Sequence, residues 1–210
     1  MKISPVNYIL VTDSASEPLT LTEVKDYLRI TTTDYDNQLT PLITTARQLC
    51  EKMTGRDLIN KTWKTFLDNF SHDYCPYNFY PFTLGETYGI GILKSKLQSI
   101  TSISYYTKDV LTVLDASKYY KTEEADYSSI YLKENQSFPS VDNRKQAVEI
   151  VFVSGYGADA SFVPQALKDG MLSHIASMQS NIGDCNDCES TLYKSFYSPY
   201  IISKLLFSAI

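Results

Sequence analysis

At 210 residues, with 43% hydrophobic and 20% charged side chains, the chain is long enough to bury its own core and has the balance of a globular protein. A formal net charge of −5 is at odds with a protein that grips nucleic acid by neutralising many phosphates, which needs clustered Lys and Arg. A wall past which DNA slides without being gripped would tolerate that sign.

The first residues, MKISPVNYILVTDSASEP, hold no long apolar run, so neither a secretory signal nor a membrane span is expected there. The expected compartment is the cytoplasm, where thiols stay reduced. Cys50, Cys75, Cys185 and Cys188 are accordingly not read as a disulfide framework. Tyrosine is abundant, with 17 copies. Its broad ring and polar tip suit interfaces, and strands favour it too, so both readings stay open.

PLTLTEVKDYLRI carries a complete helix start. Thr20 can cap, Glu23 stands at the capping-box position, and Leu19 can staple to Val24; the helix should reach about Arg29. In DNQLTPLITTARQLCEKMTGR, Leu39, Leu42, Ile43, Ala46, Leu49, Cys50 and Met53 form one helical stripe. Asp36 is expected as its cap, Pro41 lies near its start, and Gly55 is expected to stop it.

After Arg56 the period changes from helical to alternating. KTWKTFLDNF reads as a strand with Trp63, Thr65 and Leu67 on one face. Further strands are expected in GIGILKS, SITSISYYT, VLTVL, KYYKTE, SSIYLKE and QAVEIVFVSGY. In the last of these, Val148, Ile150 and Phe152 with the interleaved Val151 and Val153 predict a central strand buried on both faces. Between the first strand and the next, Ser71 to Gly89 is long, proline-bearing and aromatic; it is either a contact loop or a self-packed one. VPQALKDGMLSHIASMQSNIGD is the last clear helix, with Ala166, Leu167, Gly170, Met171, Ile175 and Met178 as its stripe.

One helix cannot bury the stripes of the first two while the strands stand apart. The expected fold is therefore α+β: a small helical bundle, made of two N-terminal helices plus the C-terminal helix, with an inserted, mostly antiparallel β-region. The expected divisions are a helical part at 1–60, a β-rich insertion at 61–156, the returning helix at 157–183 and a tail at 184–210.

Reaction chemistry finds little support. Of the two histidines, His72 lies in the aromatic loop and His174 flanks a helix stripe, where it reads as a packed residue. CNDC, Cys185 to Cys188, has the spacing of half a zinc site, which Cys75 and His72 could complete only across space. GYGAD and GIGI are punctuation rather than a nucleotide fingerprint. No catalytic, cofactor-binding or metal residues are assigned. The tail ends in Ile201, Ile202, Leu205, Leu206, Phe207 and Ile210, too short to span a bilayer and adhesive if left bare. It is read as folding back or lying in a groove of another subunit or partner.

Taken in order, PLTLTEVKDYLRI, DNQLTPLITTARQLCEKMTGRDLINKTWKTFLDNF, LKSKLQSITSISYY, VEIVFVSGYG and VPQALKDGMLSHI resemble the head–tail connector (adaptor) family of tailed bacteriophages, from about Pro18 to Asn181. The resemblance implies a non-enzymatic virion protein of the neck, made in the host cytoplasm. It implies a ring, typically dodecameric, of sister subunits that docks on the portal protein. That ring extends the DNA channel and offers a platform to the next neck or tail protein; DNA passes through the lumen without specific binding, and no membrane or cofactor is involved. Two features depart from the family: the apolar extension after Ser198-Pro199-Tyr200 and the enlarged Ser71–Gly89 loop.

On this reading the tail residues Tyr200, Ile201, Leu205 and Leu206 contact the portal or a neighbour. Tyr77 and Tyr80 in the loop contact a neighbour or a tail component. Gly55, Arg56, Trp63 and Leu67 form the structural junction between bundle and insertion. Removing Ser198 to Ile210 should leave a folded chain. The alternatives are another neck or tail-completion protein, or a small metal-dependent hydrolase using Cys185, Cys188 and a histidine.

Overall fold

In a computed structural model, residues 8–70, 89–94, 96–123, 128–180 and 192–202 are described. They divide into two compact units. One is helical and joins residues 14–60 to 156–202; the other is built of strands and joins the N-terminal residues up to Asp13 to 61–155.

The helical unit begins with α1, Leu21–Leu28. Its start is the reciprocal box read from the sequence. The Glu23 amide donates to Thr20 Oγ1 at 3.2 Å, and the Thr20 amide donates to Glu23 Oε2 at 2.7 Å. Both Leu19 and Val24 are buried beside it. Arg29 closes the helix in a left-handed conformation (φ 57°).

Helix α2, Asp36–Thr54, shows a different start from the one expected. Tyr35 takes the cap position without a side-chain bond, and Asp36 is already helical. The Asp36 carboxylate is engaged instead by Lys25 Nζ at 2.7 Å, so the ion pair wins the group that would have capped the helix. The other end is as read: Gly55 adopts φ 75° and returns its amide to Glu51 O. Helix α3, Gln165–Ser180, follows Pro164, whose carbonyl accepts from the Leu167 amide at 3.0 Å. Leu39, Ile43, Ala46 and Cys50 of α2 and Leu167, Met171 and Ile175 of α3 share one core with Leu58 and Ile59.

The tail contributes a further helix, α4, Leu192–Tyr197, followed by a 3₁₀ turn over Ser198–Tyr200. Tyr197 is fully buried in the bundle core. Gly170 of α3 permits this, since a Cβ there would stand 2.5 Å from Tyr197 Cε1. Ile202 is also buried, its amide donates to Thr54 O at 2.9 Å, and its Cδ1 lies 3.1 Å from where a Cβ on Gly55 would be. The chain as far as Ile202 is therefore part of the bundle's packing, so a cut at Ser198 would remove core contacts and not only a surface.

The strand unit holds a five-stranded sheet in the order β1-β2-β8-β4-β5 and a three-stranded one in the order β3-β7-β6, with every pairing antiparallel. The strands are β1 Tyr8–Thr12, β2 Lys61–Leu67, β3 Gly89–Ile92, β4 Leu97–Thr107, β5 Val110–Val113, β6 Tyr119–Glu123, β7 Ser128–Leu132 and β8 Val148–Ser154. Strand β1 falls within the stretch read as helical from the sequence. Leu67, Leu97, Ile103, Val148, Ile150 and Phe152 of the larger sheet and Ile92, Tyr119 and Ile130 of the smaller one form a single core.

Strand β8 is central, as read, but only one of its faces is fully covered. Val148, Ile150 and Phe152 are buried, whereas Glu149, Val151 and Val153 are half-buried. Glu149 pairs with Lys64 Nζ at 2.9 Å on that second face. An antiparallel sheet needs only one apolar face on its core, and here the other carries charge. The β4–β5 turn uses two non-glycine residues with positive φ, Lys108 and Asp109. Both amides donate to the Asp142 carboxylate at 2.8 Å, which holds the turn and keeps that carboxyl below its usual pKa.

Candidate interaction surfaces

The residues expected at the junction fall into two environments. Gly55 and Arg56 belong to the helical unit. Arg56 is buried, and its Nε donates to the Tyr200 carbonyl at 2.6 Å, so the guanidinium ties the end of α2 to the turn after α4. Tyr156 shares this pocket of the bundle; burial pushes its phenol up to about 12, with Arg56 acting in the opposite direction. Trp63 and Leu67 belong to β2 of the strand unit. Leu67 is buried in that unit's core and Trp63 packs against it, with Lys94 Nζ 4.0 Å from its ring centroid.

Of the tail residues, Tyr200 packs partly against the bundle core and Ile201 is half-buried. Leu205 and Leu206 lie outside the described residues, as do Tyr77 and Tyr80 of the aromatic loop. Cys75, Cys185, Cys188 and His72, the residues weighed for zinc, also lie outside them. Among the described residues no group of three or more His, Cys, Asp or Glu is placed to hold a metal ion.

His174 is packed within the bundle. It stacks on Tyr193 with centroids 3.8 Å apart and planes within 4°, and its Nδ1 is buried without a hydrogen-bond partner. Burial lowers its pKa. Cys50 lies beside the Tyr197 hydroxyl; burial pushes its thiol up to about 12, which keeps it protonated and unreactive at neutral pH. The buried Arg47 donates from Nε to Glu17 at 2.8 Å and lies 3.4 Å from Glu51 through Nη1.

Exposed apolar side chains mark the surfaces left over. In the helical unit they include Tyr27, Tyr35, Phe162 and Leu192. In the strand unit they gather on the two strands that end the larger sheet: Ile9, Leu10 and Val11 on β1, and Val110, Leu111 and Val113 on β5. Sequence reading assigned no role to either strand end. YILVT carries the β-branched and aromatic content of a strand, which is the signal that would have found β1. No helix among the described residues is long and apolar enough to cross a membrane.

Comparison with known proteins places these surfaces in context. Residues 18–80 match the family described as phage gp6-like head-tail connector protein. No curated protein matches the chain. Among solved structures, a chain in the virion of a native gene transfer agent (GTA) particle is similar with a TM-score of 0.70 at 17% identity, covering 93% of this chain and 95% of that one. A chain in the neck of an empty GTA particle, computed with C6 symmetry, gives 0.67 at 18% identity over 94% and 96%. One in the neck of a native GTA particle, computed with C12 symmetry, gives 0.66 at 15% identity over 95% and 96%. The chain thus matches the phage gp6-like head-tail connector family through residues 18–80, and over nearly its whole length it has the fold found in GTA particle necks.

Proposed function

We propose that this chain is a head–tail connector: a structural neck subunit that forms a ring of sister copies beneath a portal, extends the DNA channel and joins head to tail. The observation that supports it most is the coincidence of two likenesses. The connector-family match falls on α1, α2 and β2, and nearly the whole chain shares its fold with chains of GTA particles, two of them in necks computed with rotational symmetry. A net charge of −5 fits a channel wall that DNA slides past. The role asks for contacts, not catalysis. Modest surfaces suffice, because a ring repeats each of them many times.

On this reading Leu205 and Leu206, which follow the last described residue Ile202, contact the portal or a neighbour, as do Tyr200 and Ile201. Tyr77 and Tyr80 face a neighbour or the next neck component. Gly55 and Arg56 fix the end of α2 in the bundle, and Trp63 and Leu67 anchor the first inserted strand in its own core. The test mixes the purified full chain with portal rings of the same particle and images them by electron microscopy. Stacked rings are expected. A chain ending at Ile202 should melt like the full chain and fail to dock. Full-length protein that leaves the portal rings bare would refute the proposal, and docking by the shortened chain would remove the tail from it.

A further inference from the structure

We propose that the two ends of the five-stranded sheet meet between neighbouring copies of the chain, with β1 of one subunit lying against β5 of the next. The inference rests on the neck reading above and names the contact through which the ring would close.

Both strands end their sheet, and among the described residues neither pairs with a further strand on its outer side. Bare strand edges invite pairing with other chains, and natural proteins blunt them with charge, proline or distortion. Neither YILVT nor VLTV holds a charge or a proline, and the one distortion is a register shift between Leu10 and Thr12 of β1. The side chains are aliphatic and open: Val11 is 52% exposed, Val110 62% and Val113 66%. Surfaces of this kind are kept when something covers them.

The arrangement also constrains what the cover is. A two-fold dimer would use one edge twice and leave the other bare. Two different apolar edges at opposite ends of one sheet suit a head-to-tail contact, the kind that closes into a ring when each step is a rotation. The necks that hold structurally similar chains were computed with C6 and C12 rotational symmetry. The six side chains offer only a few hundred Å², well short of the roughly 1,200–2,000 Å² of a stable pairwise complex. One such contact would not hold two subunits together in dilute solution. In a closed ring every subunit uses both edges at once, and the contacts reinforce each other.

The test uses the full chain with Cys75, Cys185 and Cys188 replaced by Ser, keeping the buried Cys50. Val11→Cys and Val113→Cys are introduced together and separately, at positions already exposed. Each variant is incubated with portal rings, treated with a short bis-maleimide and run on a denaturing gel. The doubly substituted chain is expected to give a ladder of covalent multimers, and each singly substituted chain a single band. Dimers from either single variant would mean like edges meeting, which overturns the head-to-tail contact. Rings visible by electron microscopy without a ladder would mean that something else covers the edges, and would overturn the inference while leaving the neck reading intact. Absence of rings from the unsubstituted chain would bring down both.

Discussion

Replacing Tyr197 by Ala tests whether the start of the tail is part of the bundle. Tyr197 is completely buried, Gly170 is shaped around its ring, and His174, Tyr193 and Cys50 surround it. Truncating a buried aromatic of this size costs about 3–5 kcal/mol. For a helical unit of roughly 60–100 residues that unfolds in its own transition, this lowers the melting temperature by about 4–8 °C per kcal/mol, hence by about 12–40 °C. The hydroxyl makes no hydrogen bond of ordinary geometry and lies beside the Cys50 thiol, so Tyr197→Phe should stay within about 1 kcal/mol of the parent. Far-UV circular dichroism follows the helices, and the two compact units make it necessary to fit their transitions separately. If Tyr197→Ala melts within about 2 °C of the parent, or Tyr197→Phe does as much harm as Tyr197→Ala, the assignment of α4 to the bundle core is wrong.

Three further outcomes follow from buried groups of the same unit. His174 is held neutral by burial, so between its depressed folded pKa and the unfolded value of about 6.5 the unfolded chain binds more protons. Stability should therefore be complete above about pH 6.5 and fall as the pH drops through that window; melting curves across it should show a shallower loss for His174→Phe. Arg47→Ala removes a buried guanidinium from Glu17 and Glu51, which keep the Thr44 hydroxyl and the Leu58 amide as donors, and should cost about 3 kcal/mol in urea unfolding, with Arg47→Met recovering the part due to packing alone. Cys50, its thiol pushed up to about 12, should resist maleimide in the folded chain at neutral pH and react once urea unfolds it, read by intact-mass spectrometry.

The features legible in the sequence are those whose cause is local. Thr20 and Glu23 make their box within four residues, and Gly55 ends α2 because the backbone there must turn left-handed. The stripes of α2 and α3 showed which sides must be covered, and the position of the strands between them showed by what. Other features depend on distant partners. Asp36 is engaged by Lys25 across the α1–α2 turn, so it does not cap. LYKSFY has too few residues to show a helical period; it becomes α4 because Tyr193 and Tyr197 pack on α3. The tail's apolar content said that something must cover it, and the bundle itself covers Tyr197 and Ile202.

The same limit bears most on the candidate contacts. VEIVFVS and VLTV are both rich in β-branched residues, yet β8 lies between β2 and β4 with four residues fully buried, while β5 ends the sheet with all four residues exposed. The unbroken apolar run IVFV within VEIVFVS marks it as a central strand, but nothing within VLTV marks it as an edge, because edge position is a property of strand order, and strand order is fixed by pairings made across the whole chain. A surface that serves a neighbouring subunit through a strand edge is therefore written in ordinary core residues. It becomes visible only when the sheet is assembled and some of those residues are left without a partner of their own chain.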